Sequence, residues 1–122
     1  MDHQQEALAL VRGNGDRASE VQILNGLGEA HRDNGRLQEA HTQHTAALTL
    51  ATEIGNRYEH ARAHHGLGHT HHTTGVHDQA RHHWHQALTL FTDLDVPDAD
   101  DVRTHLTALD TLRHRFPGGH GQ

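Results

Sequence analysis

The chain has no cysteine and no lysine, only two prolines, and 3% aromatic residues. Without cysteine there is no disulfide and no thiolate metal site, which fits a reducing compartment. Without lysine, and with sixteen acids against ten arginines, no segment offers the clustered basic side chains that phosphates need, so direct nucleic-acid binding is not expected. No apolar run approaches membrane-spanning length, and Met1 leads into MDHQQEALAL without a basic cluster, so neither a membrane span nor a secretory signal is expected. The expectation is a soluble cytoplasmic protein. The scarcity of aromatics leaves Leu and Ala to build a thin core within one domain.

What is abundant is histidine. Seventeen imidazoles accompany a formal charge of −6, and if all were protonated the cations would outnumber the acids by eleven. Net charge therefore changes sign in the mildly acidic range.

Position by position, the second half of the chain repeats the first. Gly66-Leu67-Gly68, Gly75, Ala80, Ala87-Leu88 and Leu90 recur 40 residues upstream as Gly26-Leu27-Gly28, Gly35, Ala40, Ala47-Leu48 and Leu50, and the register extends to Ala7-Leu8 and Leu10. A repeat of this length implies a solenoid. Ala7, Leu8, Leu10 and Val11 stand at helical spacing before Gly13-Asn14-Gly15, and read as the second helix of a pair whose first is missing. Asp16 is an N-cap for a helix over 17–33 with Val21, Leu24, Leu27 and Gly28 inside. After Asn34-Gly35, its partner helix buries Leu37, Ala40, His44, Ala47, Leu48 and Leu50.

The next copy has Ala61, His64, Leu67 and Gly68 in its first helix and Ala80, Trp84, Ala87, Leu88 and Leu90 in its second. Packing is expected to be better around Trp84 than around His44, its counterpart. Beyond Leu94 the stripe Val102, Leu106, Leu109, Leu112 and Phe116 faces inward only if the Asp95-Val96-Pro97 turn holds one extra residue. Pro97 and the acids Asp98, Asp100 and Asp101 suit a helix start there. The expected architecture is all-α: an antiparallel helix-pair solenoid of about six helices. It comprises a half repeat at 2–14, repeats at 16–55 and 56–95, a closing helix at 98–116, and a disordered tail at 117–122.

Leu27-Gly28, Ala40 and Ala47, and again Leu67-Gly68, Ala80, Trp84 and Ala87, resemble tetratricopeptide repeats in a 40-residue variant. The departures are His31 and His71 at usual aromatic positions and Thr52 and Thr92 where proline is common. The stretch containing His83-Trp84, Ala87-Leu88-Thr89-Leu90 and Leu94-Asp95-Val96-Pro97-Asp98-Ala99-Asp100 is similar to the C-terminal repeats of actinobacterial SARP and AfsR-like transcriptional regulators. The DNA-binding and NTPase modules of such regulators are not in this sequence, and no GxxxxGK[ST] phosphate loop occurs. The resemblance implies a right-handed superhelix that serves as an interaction or sensor module. It also implies a protein or peptide partner in the concave groove made by the first helix of each pair. That geometry places Gln22, Asn25, Glu29, Arg32 and Asp33 beside Arg62, His65, His69, His72 and Thr73, with Asn25 available to a peptide backbone and Arg62 to a carboxylate.

His65, His69 and His72 stand at i, i+4, i+7 on one helix face, and two of them could hold zinc or nickel with Glu29 or His105 as a further ligand. In so histidine-rich a chain such spacing also arises by chance, and no cofactor is expected; a metal-binding protein is the alternative from another class, as is a fragment without independent function. The pairs His60/His64 and His82/His85 are equally well spaced for adventitious binding. Charging His65, His69 and His72 beside Arg62 would act as a pH switch only if a bistable element responded. His31, His44, His64 and His71 fall on inner faces. No catalytic residue is expected, because an open solenoid supplies neither a pocket nor an oriented acid–base pair. The half repeat at the N-terminus leaves an inner face bare, so self-association through that end is expected.

Overall fold

A computed structural model describes the backbone of residues 3–115. It consists of six helices, α1 (His3–Asn14), α2 (Arg17–Asp33), α3 (Leu37–Ile54), α4 (Arg57–Thr73), α5 (His77–Leu94) and α6 (Asp98–Arg115), with no strand among the described residues. Each helix packs on the next in sequence, and α2 also touches α4, so that α2 and α4 form one layer and α3 and α5 the other. This is an all-α solenoid of antiparallel helix pairs.

The caps explain the boundaries. Asp16 Oδ1 accepts from the Ser19 amide and Asn56 Oδ1 from the Glu59 amide, each at 3.0 Å, satisfying an otherwise orphaned N–H at the starts of α2 and α4. Gly55 ends α3 in the left-handed region at φ 71°, where a Cβ would be strained. Its counterpart 40 residues on is Asp95, which adopts φ 56° despite carrying a side chain. α6 then begins at Asp98, one residue later than copying of α4 would place it. That offset buries Ala99, Val102, Leu106 and Leu109, whereas Leu112 is 40% exposed. Phe116 and the tail 117–122 lie outside the described residues.

Two clusters make the core. One gathers Leu8, Val21, Leu24, Leu27, Ala47, Leu50, Ala51 and Ala63, and the other gathers Trp84, Phe91, Val102, Leu106 and Leu109 with small alanines. Phe91, at the register of Ala51, is fully buried, while Leu88 and Leu90, expected inside, are half-buried. Leu37 and Leu48 are half-buried in the same way.

His44 is as completely buried as Trp84. Its imidazole lies between Gly28 of α2 and Gly66 of α4, where an added Cβ would meet the ring at under 3.0 Å. Trp84 uses Gly68 in the same manner. The glycines thus let the second helix of each pair drive a flat ring against the backbone of the first-helix layer.

Candidate partner groove and histidine cluster

The residues expected to line a groove lie on α2 and α4, with the start of α6 alongside. Two of them join Glu59 in an ion network: Arg62 donates from Nε and NH2 to both carboxylate oxygens of Glu29 at 2.9 and 2.8 Å, and from NH1 to Glu59 Oε1 at 3.2 Å. Burial acts to raise Glu29, but the Arg62 hydrogen bonds and charge outweigh it and hold the carboxyl below its usual range. The same Glu29 bonds raise Arg62 against its own burial. A bidentate fork saturated in this way has little left for a ligand carboxylate.

Asn25 lies beneath this network. It is fully buried, its amide nitrogen donates to Glu59 O at 3.1 Å and Glu59 Oε1 at 2.9 Å, and its Oδ1 faces His44 Nδ1 at 2.8 Å. Both amide hydrogens point at Glu59, so Oδ1 must accept and His44 Nδ1 must donate. Asn25, expected to reach a peptide backbone, instead ties α2, α3 and α4 together. The expected carboxylate contact at Arg62 is likewise taken up inside the chain by Glu29 and Glu59.

The other expected groove residues are placed as follows. Gln22 and Asp33 are exposed, and Arg32 is half-buried with its guanidinium 3.3 Å from Asp33. Thr73 returns its hydroxyl to His69 O at 2.9 Å. His72 is exposed, with ring centroids 5.6 Å from His77 and 5.5 Å from Trp84. It does not join the cluster formed by His65 and His69.

The third member of that cluster is His105, on α6. Candidate ligand nitrogens of His65, His69 and His105 all lie within 4.8 Å of one another, and His65 Nε2 is 3.2 Å from His69 Nε2. Glu29, the other further ligand considered, is occupied by Arg62. Trp84 backs the cluster: its indole stacks on His105 at 5.2 Å, meets His69 edge-on at 5.3 Å, and donates from Nε1 to His65 O at 3.2 Å. Burial, and then the neighbouring His105, depress His65 to about 4; burial, and then His65, depress His69 to about 3; burial also lowers His105. All three imidazoles are therefore neutral at neutral pH.

Sequence reasoning missed the roles of four further residues near this face, Tyr58, Glu59, Asp98 and Asp101. Glu59 is nearly buried between Asn25 and Arg62, and Tyr58 donates to Asp98 Oδ2 at 2.8 Å, which pins α6 to α4. Burial and that bond push the phenol up to about 12. Asp101 and Asp98 both act electrostatically to raise His65 against its burial. The only signal for these contacts was the 40-residue offset between Tyr58 and Asp98.

On the opposite side of α4 runs a second histidine series. His64 Nδ1 is 3.0 Å from His83 Nδ1, His60 stacks on His64, and His83 stacks on His71, which meets His41 edge-on. These rings fill the space between α4 and its neighbours where longer apolar side chains would otherwise pack, as expected for His64 and His71. His31 is half-buried.

The fold defines a class: an all-α scaffold of repeated antiparallel helix pairs, with a polar face on the layer of first helices. A family model described as tetratricopeptide repeat matches residues 21–54, which span most of α2 and all of α3. That segment is similar to a tetratricopeptide repeat. No curated protein matches the chain. No helix among the described residues is long and apolar enough to cross a membrane.

Proposed function

We propose that the chain is a protein-interaction module that receives a basic segment of a partner in the groove between α2, α4 and the start of α6. The observation that carries this is the closed Glu29–Arg62–Glu59 network. Because Arg62 is neutralised from within, Glu29, Glu59, Asp33, Asp98 and Asp101 stand against Arg32 and Arg62 alone, leaving three excess negative charges along the face. Potential complementarity of this kind steers association and selects the partner's sign. The resemblance read from the sequence around His83-Trp84 and Leu94–Asp100 to SARP and AfsR-like regulators is the ground for assigning this docking role to bacterial transcriptional regulation. Binding of fluorescent Arg/Lys-rich and Asp/Glu-rich peptides, followed by anisotropy over a salt series, tests the charge reading. Basic peptides are expected to bind and to weaken with salt and with Asp101→Lys; equal or better binding of acidic peptides refutes it.

A second contact surface is supported by one observation on α1. Leu10 is 66% exposed, whereas its repeat counterpart Leu50 is 8% exposed. Leu10 is thus an apolar side chain left open on α1, and a second copy of the chain provides the same apolar chemistry. Concentration-dependent light-scattering mass is expected to show dimer in the wild type and monomer in Leu10→Asp. A wild-type chain that stays monomeric at high concentration refutes this contact.

A further inference from the structure

We propose that His65, His69 and His105 form a binding site for a zinc-like divalent cation, with three imidazole nitrogens as ligands and water in the fourth position. The site goes beyond the peptide-binding reading and stands or falls without it.

The geometry carries the proposal. Zinc bound to imidazole at about 2.0–2.1 Å in a tetrahedron separates its nitrogens by about 3.3 Å. The two α4 nitrogens already stand 3.2 Å apart, and the third lies within 4.8 Å of both, so rotation of His105 by about 1.5 Å closes the set. In the metal-free chain one Nε2–H points at the other Nε2. Cation binding moves that proton to Nδ1 and frees both lone pairs, with no net change in ring charge.

Three features separate this cluster from the chance spacings of a histidine-rich chain. Among the described residues it is the one group of three ligating side chains that converge. The His64–His83 pair is as close, but no third ligating residue converges on it. The ligands come from two helices, α4 and α6, that both pack on α5, are bridged by the Tyr58–Asp98 bond, and meet Trp84 of α5 at all three histidines. Finally, Asp98 and Asp101 offset the incoming charge, opposed by Arg32. An all-imidazole donor set selects zinc, copper or nickel over calcium or magnesium.

The sole tryptophan makes the site readable. Titration of the full chain with Co²⁺ is expected to give tetrahedral visible absorption that saturates at one equivalent and is displaced by Zn²⁺. Cu²⁺ is expected to quench Trp84 with the same stoichiometry. His69→Ala and His105→Ala are expected to weaken binding by more than the roughly 10–100-fold that loss of an outer partner costs. His72→Ala and the double variant His82→Ala/His85→Ala leave it unchanged. Helicity by circular dichroism accompanies each variant, and His105→Gln replaces His105→Ala should the latter unfold. Absence of a one-equivalent tetrahedral site in the wild type overturns the proposal, as does a folded His105 variant that binds Co²⁺ like the wild type.

Discussion

Lowering the pH should destabilise the fold through His44 in a window set by its burial. Burial is the main cause that depresses His44 to about 4 from 6.5; Glu29 opposes it, and Arg32, Arg62 and His65 add to it. The geometry agrees with that direction. Nδ1 donates to Asn25, and Nε2 is buried with no hydrogen-bond partner, so protonation would place an N–H and a charge where nothing accepts them. A base whose folded value is depressed is neutral in the native chain and charged in the unfolded one between about pH 4 and 6.5. The unfolded state binds more protons there, so stability is lost as pH falls through that window, is flat above it, and falls no further on this account below it. At about 1.4 kcal/mol per pH unit the window is worth about 3 kcal/mol, a large share of the roughly 5–15 kcal/mol that holds a domain together.

His44→Gln removes the titration but retains an N–H for Asn25. Urea unfolding followed by circular dichroism, above pH 6.5 and at about pH 4.5, compares the two chains. Above the window the variant should be less stable by about 1–2 kcal/mol, from lost packing between Gly28 and Gly66. Near the foot of the window the order should reverse or the gap close, because only the wild type loses the full contribution of this ring. Parallel stability–pH curves for the two chains would refute the reasoning, since both would then carry the same proton count.

Gly66→Ala should destabilise by about 1–3 kcal/mol because its Cβ meets the boxed-in His44 ring, while Gly26→Ala, which meets the flexible end of Gln4 at 3.3 Å and Arg62 only at an ordinary 3.9 Å, should gain up to about 1 kcal/mol of helix propensity; thermal melts of the pair check this. Arg62→Ala should cost about 2–4 kcal/mol by stranding the nearly buried Glu59 carboxylate beside Glu29, and Arg62→Ala/Glu59→Gln should recover part of that in a double-mutant cycle. Asp95→Gly should stabilise by about 0.5–1 kcal/mol by relieving the left-handed backbone at the end of α5, and Gly55→Asp should do the reverse at the end of α3; denaturant midpoints measure both.

The local features were legible in the sequence because each depends on neighbours within one or two turns. The 40-residue register, the cap at Asp16, the turn glycines and the Leu/Ala stripes all follow from backbone hydrogen bonding and helical period. The extra residue before α6 could be inferred as well, since only it turns Val102, Leu106 and Leu109 inward.

The fate of the polar side chains was decided by tertiary packing. On α4, His69 and His72 have equal claim to follow His65 along one face; the arrival of His105 on α6 selects His69 and leaves His72 outside. Asn25 and Arg62 occupy groove positions by register. Close approach of α2 to α4 instead buries Asn25 and gives Arg62 two carboxylates of its own. A repeat fixes which face a residue occupies. Whether a hydrogen-bonding group on that face meets solvent, a partner or its own chain depends on helices 30 to 40 residues away, and beyond the register of Tyr58 with Asp98 the sequence period does not say which of these side chains pair.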